Sequence, residues 1–162
     1  EIFKIKINHL VPPSEANVIA NDAFDFFINK RHEIQLFDGV AEALFALSKK
    51  YTLAVLTNGN ANIFRFEIGK YFKFSISSLE AQNIKPHRAH FDMAVQQADK
   101  INFSEMLHSG DHQINDVLAA HQLGIETLWF NNTNKEWDQN FKKPTEFSSW
   151  QKLPKIIEDL YE

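Results

Sequence analysis

From Asp38 to the C-terminus, short apolar runs alternate with helical patterns, and that alternation leaves few folds open other than a parallel, doubly wound α/β sheet. A helix at 39–49 precedes an apolar strand at 52–57, and a helix near 61–70 precedes a strand at 74–77. A helix at 88–100 then precedes a strand at 106–109, a helix at 114–123 stopped by Gly124 leads into a strand at 126–130, and a helix at 151–161 closes the chain. Residues 131–149 read as a long polar surface loop with one short extra strand near Glu146–Phe147. In open sheets of this kind ligands bind beyond the carboxyl ends of the strands. Those ends are therefore where functional residues are sought.

Three strand ends carry chemistry. Strand 106–109 runs into Gly110–Asp111, with Asp116 five residues further on at the start of the next helix. Taken alone, an Asp at a strand end or helix start is a cap or a turn residue. As a pair, the two carboxylates suit Mg2+, a hard cation that takes oxygen ligands in a demanding geometry. Strand 52–57 ends in Thr57-Asn58-Gly59, which sets a hydroxyl, a small amide side chain and a flexible glycine where backbone N–H groups can point at a phosphate. Lys85-Pro86 follows the loop 80–84 and precedes a helix, so the proline keeps the lysine backbone out of that helix and lets its ammonium reach across the crevice.

Residues 1–36 lack the strand–helix alternation and read as helical hairpin material. Glu1 to Leu10 reads as a helix, although the alternation of Ile2, Ile5 and Ile7 with Lys4 and Lys6 also fits a strand. After the break at Pro12-Pro13, Ser14 is the expected N-cap of a helix to about Lys30. The apolar residues Val18, Ile19, Ala23, Phe24, Phe26, Phe27 and Ile28 spread widely around it, which predicts packing against more than one neighbour. Asp38 is expected to cap the helix that follows.

Composition narrows the partners. With 162 residues, 44% hydrophobic and fifteen Phe, the chain can bury a substantial core. A formal charge of −4 and a pI near 6.0 give no electrostatic reason to expect nucleic acid or an anionic membrane. With no cysteine, a disulfide framework, a thiolate metal site and a Cys nucleophile are excluded within these residues, and a cytoplasmic setting is the expectation. No apolar run approaches a membrane span. The sequence contains no G-x-x-x-x-G-K-[ST], no G-x-G-x-x-G and no G-x-S-x-G, so ATPase, dinucleotide and serine hydrolase readings have no foothold. His87 and His90 share a helical face, and His108 and His112 flank the acid pair; without a spaced third ligand they read as surface groups or as supports behind the site, with His112 close enough to touch substrate. Trp129, Trp137, Phe141 and Trp150 read as ordinary packing.

The order strand-Thr57-Asn58-Gly59, then Lys85-Pro86, then strand-Gly110-Asp111 with Asp116, each at the carboxyl end of a successive βα unit, resembles the haloacid dehalogenase-like hydrolases. The wording Leu56-Thr-Asn-Gly-Asn60 and Trp129-Phe-Asn131 looks closest to their flavin mononucleotide phosphatase-like members. The resemblance implies an α/β fold with a doubly wound parallel sheet over 37–162, with 1–36 as the C-terminal part of a helical cap. It implies a Mg2+-dependent phosphatase of a small phosphorylated metabolite, acting through an aspartyl-phosphate. It gives Thr57, Lys85 and Asp111 catalytic roles, assigns Thr57, Asn58, Gly59 and Lys85 to the substrate phosphate, and Asp111 and Asp116 to the metal.

In this family the first motif is a strand ending in Asp-x-Asp, and no Asp-x-Asp occurs in the sequence. Phe37-Asp38 is the nearest candidate, but the residue two further on is Val40, and Asp22 and Asp25 lie three apart in a helical pattern. The family's first strand lies between the Thr57 strand and the Asp111 strand, so its absence would leave a hole in the core. The chain begins Glu-Ile-Phe-Lys. The expectation is therefore a piece of a longer protein, inactive by itself, with Ile2–Ile7 or an element exchanged between two copies as other sources of the strand. Two rival functions stand beside the phosphatase: a 2-haloacid dehalogenase, which attacks carbon and does not need the acid of Gly110-Asp111, and a non-catalytic phosphate-binding scaffold.

Overall fold

The structure is a computed structural model that describes residues 10–161. The chain divides into two compact units, one ending at Gln35 and the other beginning at Leu36. In the first, helix α1 spans Pro13–Arg31, with Pro12 in the capping position and Pro13 in the first turn. This corrects the expectation for Ser14, which makes no capping hydrogen bond. Proline already holds the φ that a first turn needs and lacks the N–H that would go unsatisfied there. The apolar spread is not covered as expected: Ala16 and Ala20 are buried, whereas Val18, Ile19, Phe24, Phe26 and Phe27 are exposed. The reading of Glu1 to Leu10 lies almost wholly outside the described residues.

The second unit opens with α2, Val40–Ser48, whose Val40, Ala43, Leu44 and Leu47 recur at helical spacing and are all buried. Its N-cap is Gly39 at φ 81°, not Asp38. A side chain at Gly39 would run into Gln151, and its positive φ favours glycine, so backbone shape decides this start. Strand β1, Leu53–Thr57, pairs in parallel with β2, Phe72–Ser77, with Leu56 opposite Ile76 and Thr57 opposite Ser77. Between them, the expected continuous helix is two separate 3₁₀ turns, Ile63–Arg65 and Glu67–Tyr71. The second folds back on the first so closely that a Cβ at Gly69 would meet the Ile63 carbonyl at 2.6 Å. That fold-back carries Ile68 into a cluster with Val40 and Leu44.

A single helical turn, α3 (Ser78–Ala81), is started by a capping box in which Ser77 and Glu80 bond reciprocally. Helix α4 spans Ala89–Gln97, beginning three residues after Pro86 instead of at it. Strand β3, Leu107–Gly110, pairs in parallel with β4, Glu126–Phe130, and β4 with β5, Thr145–Phe147. The connection from β3 to β4 is a π-helical turn, Gln113–Leu118, running into α5, Ala119–His121. Helix α6, Leu153–Tyr161, follows a 3₁₀ turn at Trp150–Lys152.

The fold is α/β with parallel strands, as expected. Strand β4 is its most enclosed element, with Thr127 to Phe130 all buried; Leu128 and Phe130 pack with Leu47, Phe147, Leu153 and Ile157. Among the described residues the strands form two separate parallel sheets, β1–β2 and β3–β4–β5. One edge of β1 and one edge of β3 thus carry no strand partner there. Ala54 in β1 and Ser109 in β3 are exposed, unlike the interior of β4.

Candidate active site

All six residues singled out by the sequence pattern line one cavity of about 370 Å³: Thr57, Asn58, Gly59, Lys85, Asp111 and Asp116. Parallel strands bring this about, because β1 and β3 both end at that cavity and the residues just past their ends share it. His112 and Asn115 line it as well.

The contacts around Lys85 are the most constrained part of the cavity. Its backbone is clamped by the Asn58 side chain, which accepts from Lys85 N at 2.6 Å through Oδ1 and donates through Nδ2 to the Lys85 carbonyl at 3.0 Å. The side chain is buried, and Nζ donates to the Leu56 carbonyl at 2.7 Å and to Asp116 Oδ1 at 2.6 Å. The second carboxylate oxygen of Asp116 accepts from His112 N at 3.1 Å. Gly110 is obligatory here, since a Cβ at that position would overlap the Asp116 side chain. Burial alone would push the Asp116 carboxyl up, but His108 and Lys85 beside it hold it well below the usual carboxylate range.

The cradle after β1 is closed on itself. Gly59 N–H donates to Thr57 Oγ1 at 2.9 Å, and the Asn58 side chain is committed to Lys85, so neither group points unengaged into the cavity. Thr57 Oγ1 only accepts in that bond, which leaves its hydroxyl proton for a ligand. The sequence pattern put these residues at the strand end but gave no sign of the Asn58 clamp, because the two partners are 27 positions apart.

Three histidines stand around this group. His90 is fully buried with Nε2 3.1 Å from the Thr57 carbonyl, and burial pushes its pKa down, with that carbonyl opposing. His108 lies beneath Asp116, with Nε2 3.6 Å from Oδ1, and burial lowers its pKa against the pull of Asp116. His112 takes two backbone N–H groups, those of Ile114 at 3.2 Å and Asn115 at 3.1 Å, on Nδ1, and thereby caps the π-helical turn. Such wide turns recur at functional sites; here the turn gives His112 O to both Asp116 N and Val117 N. Gln113 ties the same turn to the long loop, donating to the Glu136 carbonyl at 2.7 Å and accepting from Asp138 N at 3.1 Å. Isolated histidines carry no periodic signal, so the burial of His90 and His108 was not readable beforehand.

Asp111 differs from Asp116. Its backbone carbonyl accepts from Trp129 Nε1 at 3.1 Å, which anchors the loop, while its carboxylate is exposed and has no hydrogen-bond or ion-pair partner among the described residues. Among those residues no group of three or more His, Asp or Glu side chains could hold a metal ion. A Mg2+ ion does not require such a group, because it keeps several waters and is held by one or two carboxylates. The free Asp111 carboxylate, with Asp116 fixed behind it, is a donor set of that kind.

Comparison with known proteins decides the family. A family model described as haloacid dehalogenase-like hydrolase matches residues 7–130. The chain belongs to the haloacid dehalogenase-like hydrolases. It is 31% identical over 149 residues to the 5-amino-6-(5-phospho-D-ribitylamino)uracil phosphatase YigB of Escherichia coli, covering 88% of this chain and 61% of that protein. It is 26% identical over 147 residues to the pyrimidine 5'-nucleotidase YjjG of the same organism, covering 87% of this chain and 65% of that protein. The chain thus spans under two thirds of the length of these curated relatives. Among solved structures, the 2-haloacid dehalogenase from Pseudomonas syringae pv. Tomato DC3000 superposes with a TM-score of 0.92 at 31% identity, covering 98% of this chain and 69% of that one. This haloacid dehalogenase-like chain therefore has both phosphatases and a dehalogenase among its similar proteins.

Proposed function

We propose that the cavity binds the phosphoryl group of a small phosphorylated metabolite, and that the whole protein is a cytoplasmic, Mg2+-dependent phosphomonoester hydrolase acting through an aspartyl-phosphate. The observation that carries this reading is the carboxylate of Asp111, without a partner among the described residues, on the same cavity as the buried Lys85–Asp116 pair and the Thr57 hydroxyl. The names of the curated relatives, a phosphatase and a nucleotidase, support it.

A phosphoryl group in transfer carries negative charge over its equatorial oxygens, so catalysis is chiefly positioning and charge compensation. The Thr57 hydroxyl and the Asn58 N–H donate to phosphate oxygens. Gly59 N–H joins them by turning away from Thr57 Oγ1. Lys85 Nζ, with two of its three hydrogens placed on Leu56 O and Asp116 Oδ1, offers the third to the phosphate. Asp111 would hold Mg2+, with Asp116 supporting it. Bound there, the ion compensates charge on the phosphate.

The attacking carboxylate forms a bond to phosphorus as the bond to the leaving oxygen breaks, and a second acid protonates that oxygen. Water then cleaves the acyl phosphate, releases inorganic phosphate and regenerates the carboxylate. We infer that both acids lie in sequence beyond these 162 residues, because no Asp-x-Asp occurs among them. A strand joining the edges of β1 and β3 that carry no strand partner among the described residues would bring such acids to the cavity.

The likeness to a 2-haloacid dehalogenase supports a second reading, in which the carboxylate attacks carbon and expels halide. That chemistry gives Asp111 no task. The test is to assay the native protein for phosphate release from p-nitrophenyl phosphate and for chloride release from 2-chloropropionate, each with and without Mg2+. Phosphate release that needs Mg2+ supports the phosphatase; halide release indifferent to Mg2+ overturns it.

A further inference from the structure

His108 is a buried polar group of the site to which the proposed chemistry gives no task. It lies within β3 with its ring edge-on to Phe91, centroids 5.0 Å apart and planes at 82°. Nε2 is sealed from solvent and has no partner at ordinary hydrogen-bond length among the described residues, yet it stands 3.6 Å from Asp116 Oδ1, the same oxygen that accepts from Lys85. Burying an N–H without an acceptor costs about 1–3 kcal/mol, and an aromatic hydrocarbon would fill the space without that cost. Packing alone therefore does not account for an imidazole facing a carboxylate here.

We propose that His108 is a positioning residue for Asp116, a donor that closes on Oδ1 through Nε2–H and keeps the carboxylate oriented when Lys85 is drawn toward an anion in the cavity. The inference rests on the phosphate and magnesium reading of that cavity. When the third hydrogen of Nζ bonds a phosphate oxygen, the hold of Lys85 on Oδ1 weakens, and a second donor already stands a few tenths of an ångström too far away. Groups that orient metal-binding carboxylates from behind typically change metal affinity 10- to 100-fold when removed.

Two measurements on the native protein test this. Nitrogen-15 NMR of the imidazole is expected to show His108 with hydrogen on Nε2 and none on Nδ1. The opposite tautomer overturns the proposal, because a lone pair would then face the carboxylate. Calorimetric titration with Mg2+ is expected to show affinity reduced at least 10-fold in His108→Phe, which keeps the ring and the Phe91 contact, and restored to within a few-fold of wild type in His108→Gln. Equal affinity in wild type and His108→Phe overturns this inference and leaves the metal reading standing. A wild-type protein that binds no Mg2+ overturns both.

Discussion

Replacing Lys85 by Met probes the charge pair that fastens β1 to the start of the π-helical turn. The two side chains are 7% and 10% exposed, so solvent screens their interaction little. Removing one partner leaves Asp116 a buried carboxylate with His112 N at hydrogen-bond distance and His108 Nε2 at 3.6 Å, and losses of this kind run to about 3–5 kcal/mol. In urea, with a slope of about 2 kcal/mol per molar, that moves the unfolding midpoint down by roughly 2 M. Without Lys85, only His108 still opposes the effect of burial on the Asp116 carboxyl, so its folded pKa lies above that of the wild type. The loss in Lys85→Met should therefore shrink as pH falls through the raised folded pKa. Lys85→Met/Asp116→Asn, which removes the stranded charge, should recover more than half of the stability. A loss under about 1 kcal/mol, the range of surface pairs, or a double variant no better than the single one, would refute the reasoning.

Three other outcomes follow from the same contacts. Gly110→Ala should destabilise by about 1–3 kcal/mol in denaturant melts, because the new Cβ overlaps Asp116 and the strand cannot withdraw. Asn58→Ala removes both bonds that clamp the Lys85 backbone and should cost about 1–3 kcal/mol in the same assay, with phosphate affinity falling in titration. Because His90 and His108 have folded pKa values below the unfolded value of about 6.5, the unfolded chain binds more protons as pH drops through 6.5. Stability measured by urea melts should then decline at up to about 1.4 kcal/mol per pH unit for each imidazole, and a flat profile from pH 7 to 5 would contradict their burial.

What the sequence revealed and what it concealed divide along physical lines. Strand and helix order from Val40 onward was legible because apolar residues repeat at the periods of those elements, and the parallel arrangement then carried Thr57, Lys85 and Asp111 to one end. The break between the two 3₁₀ turns was not legible, because it depends on the close approach of Gly69 to the Ile63 backbone, a tertiary contact. The start of α2 was misassigned to Asp38 for a similar reason: Gln151, far along the chain, occupies the space a side chain at Gly39 would need. In the site, residue types were readable but their pairings were not. Lys85 was assigned to the substrate phosphate, and nothing in the sequence marked Asp116, 31 positions away, as the carboxylate it bonds. Gly59 was expected to offer its amide outward, and that amide is bonded to Thr57.

The most direct test of the account is Mg2+-dependent phosphate release by the native protein and by its Asp111→Asn variant. The Asp111 carboxylate is exposed and without partners among the described residues, so the variant should melt within about 0.5 kcal/mol of wild type. The account predicts release that requires Mg2+ in the wild type and is abolished in Asp111→Asn. Near-normal turnover in that variant, at unchanged stability, would contradict a magnesium-supported phosphate site at this cavity.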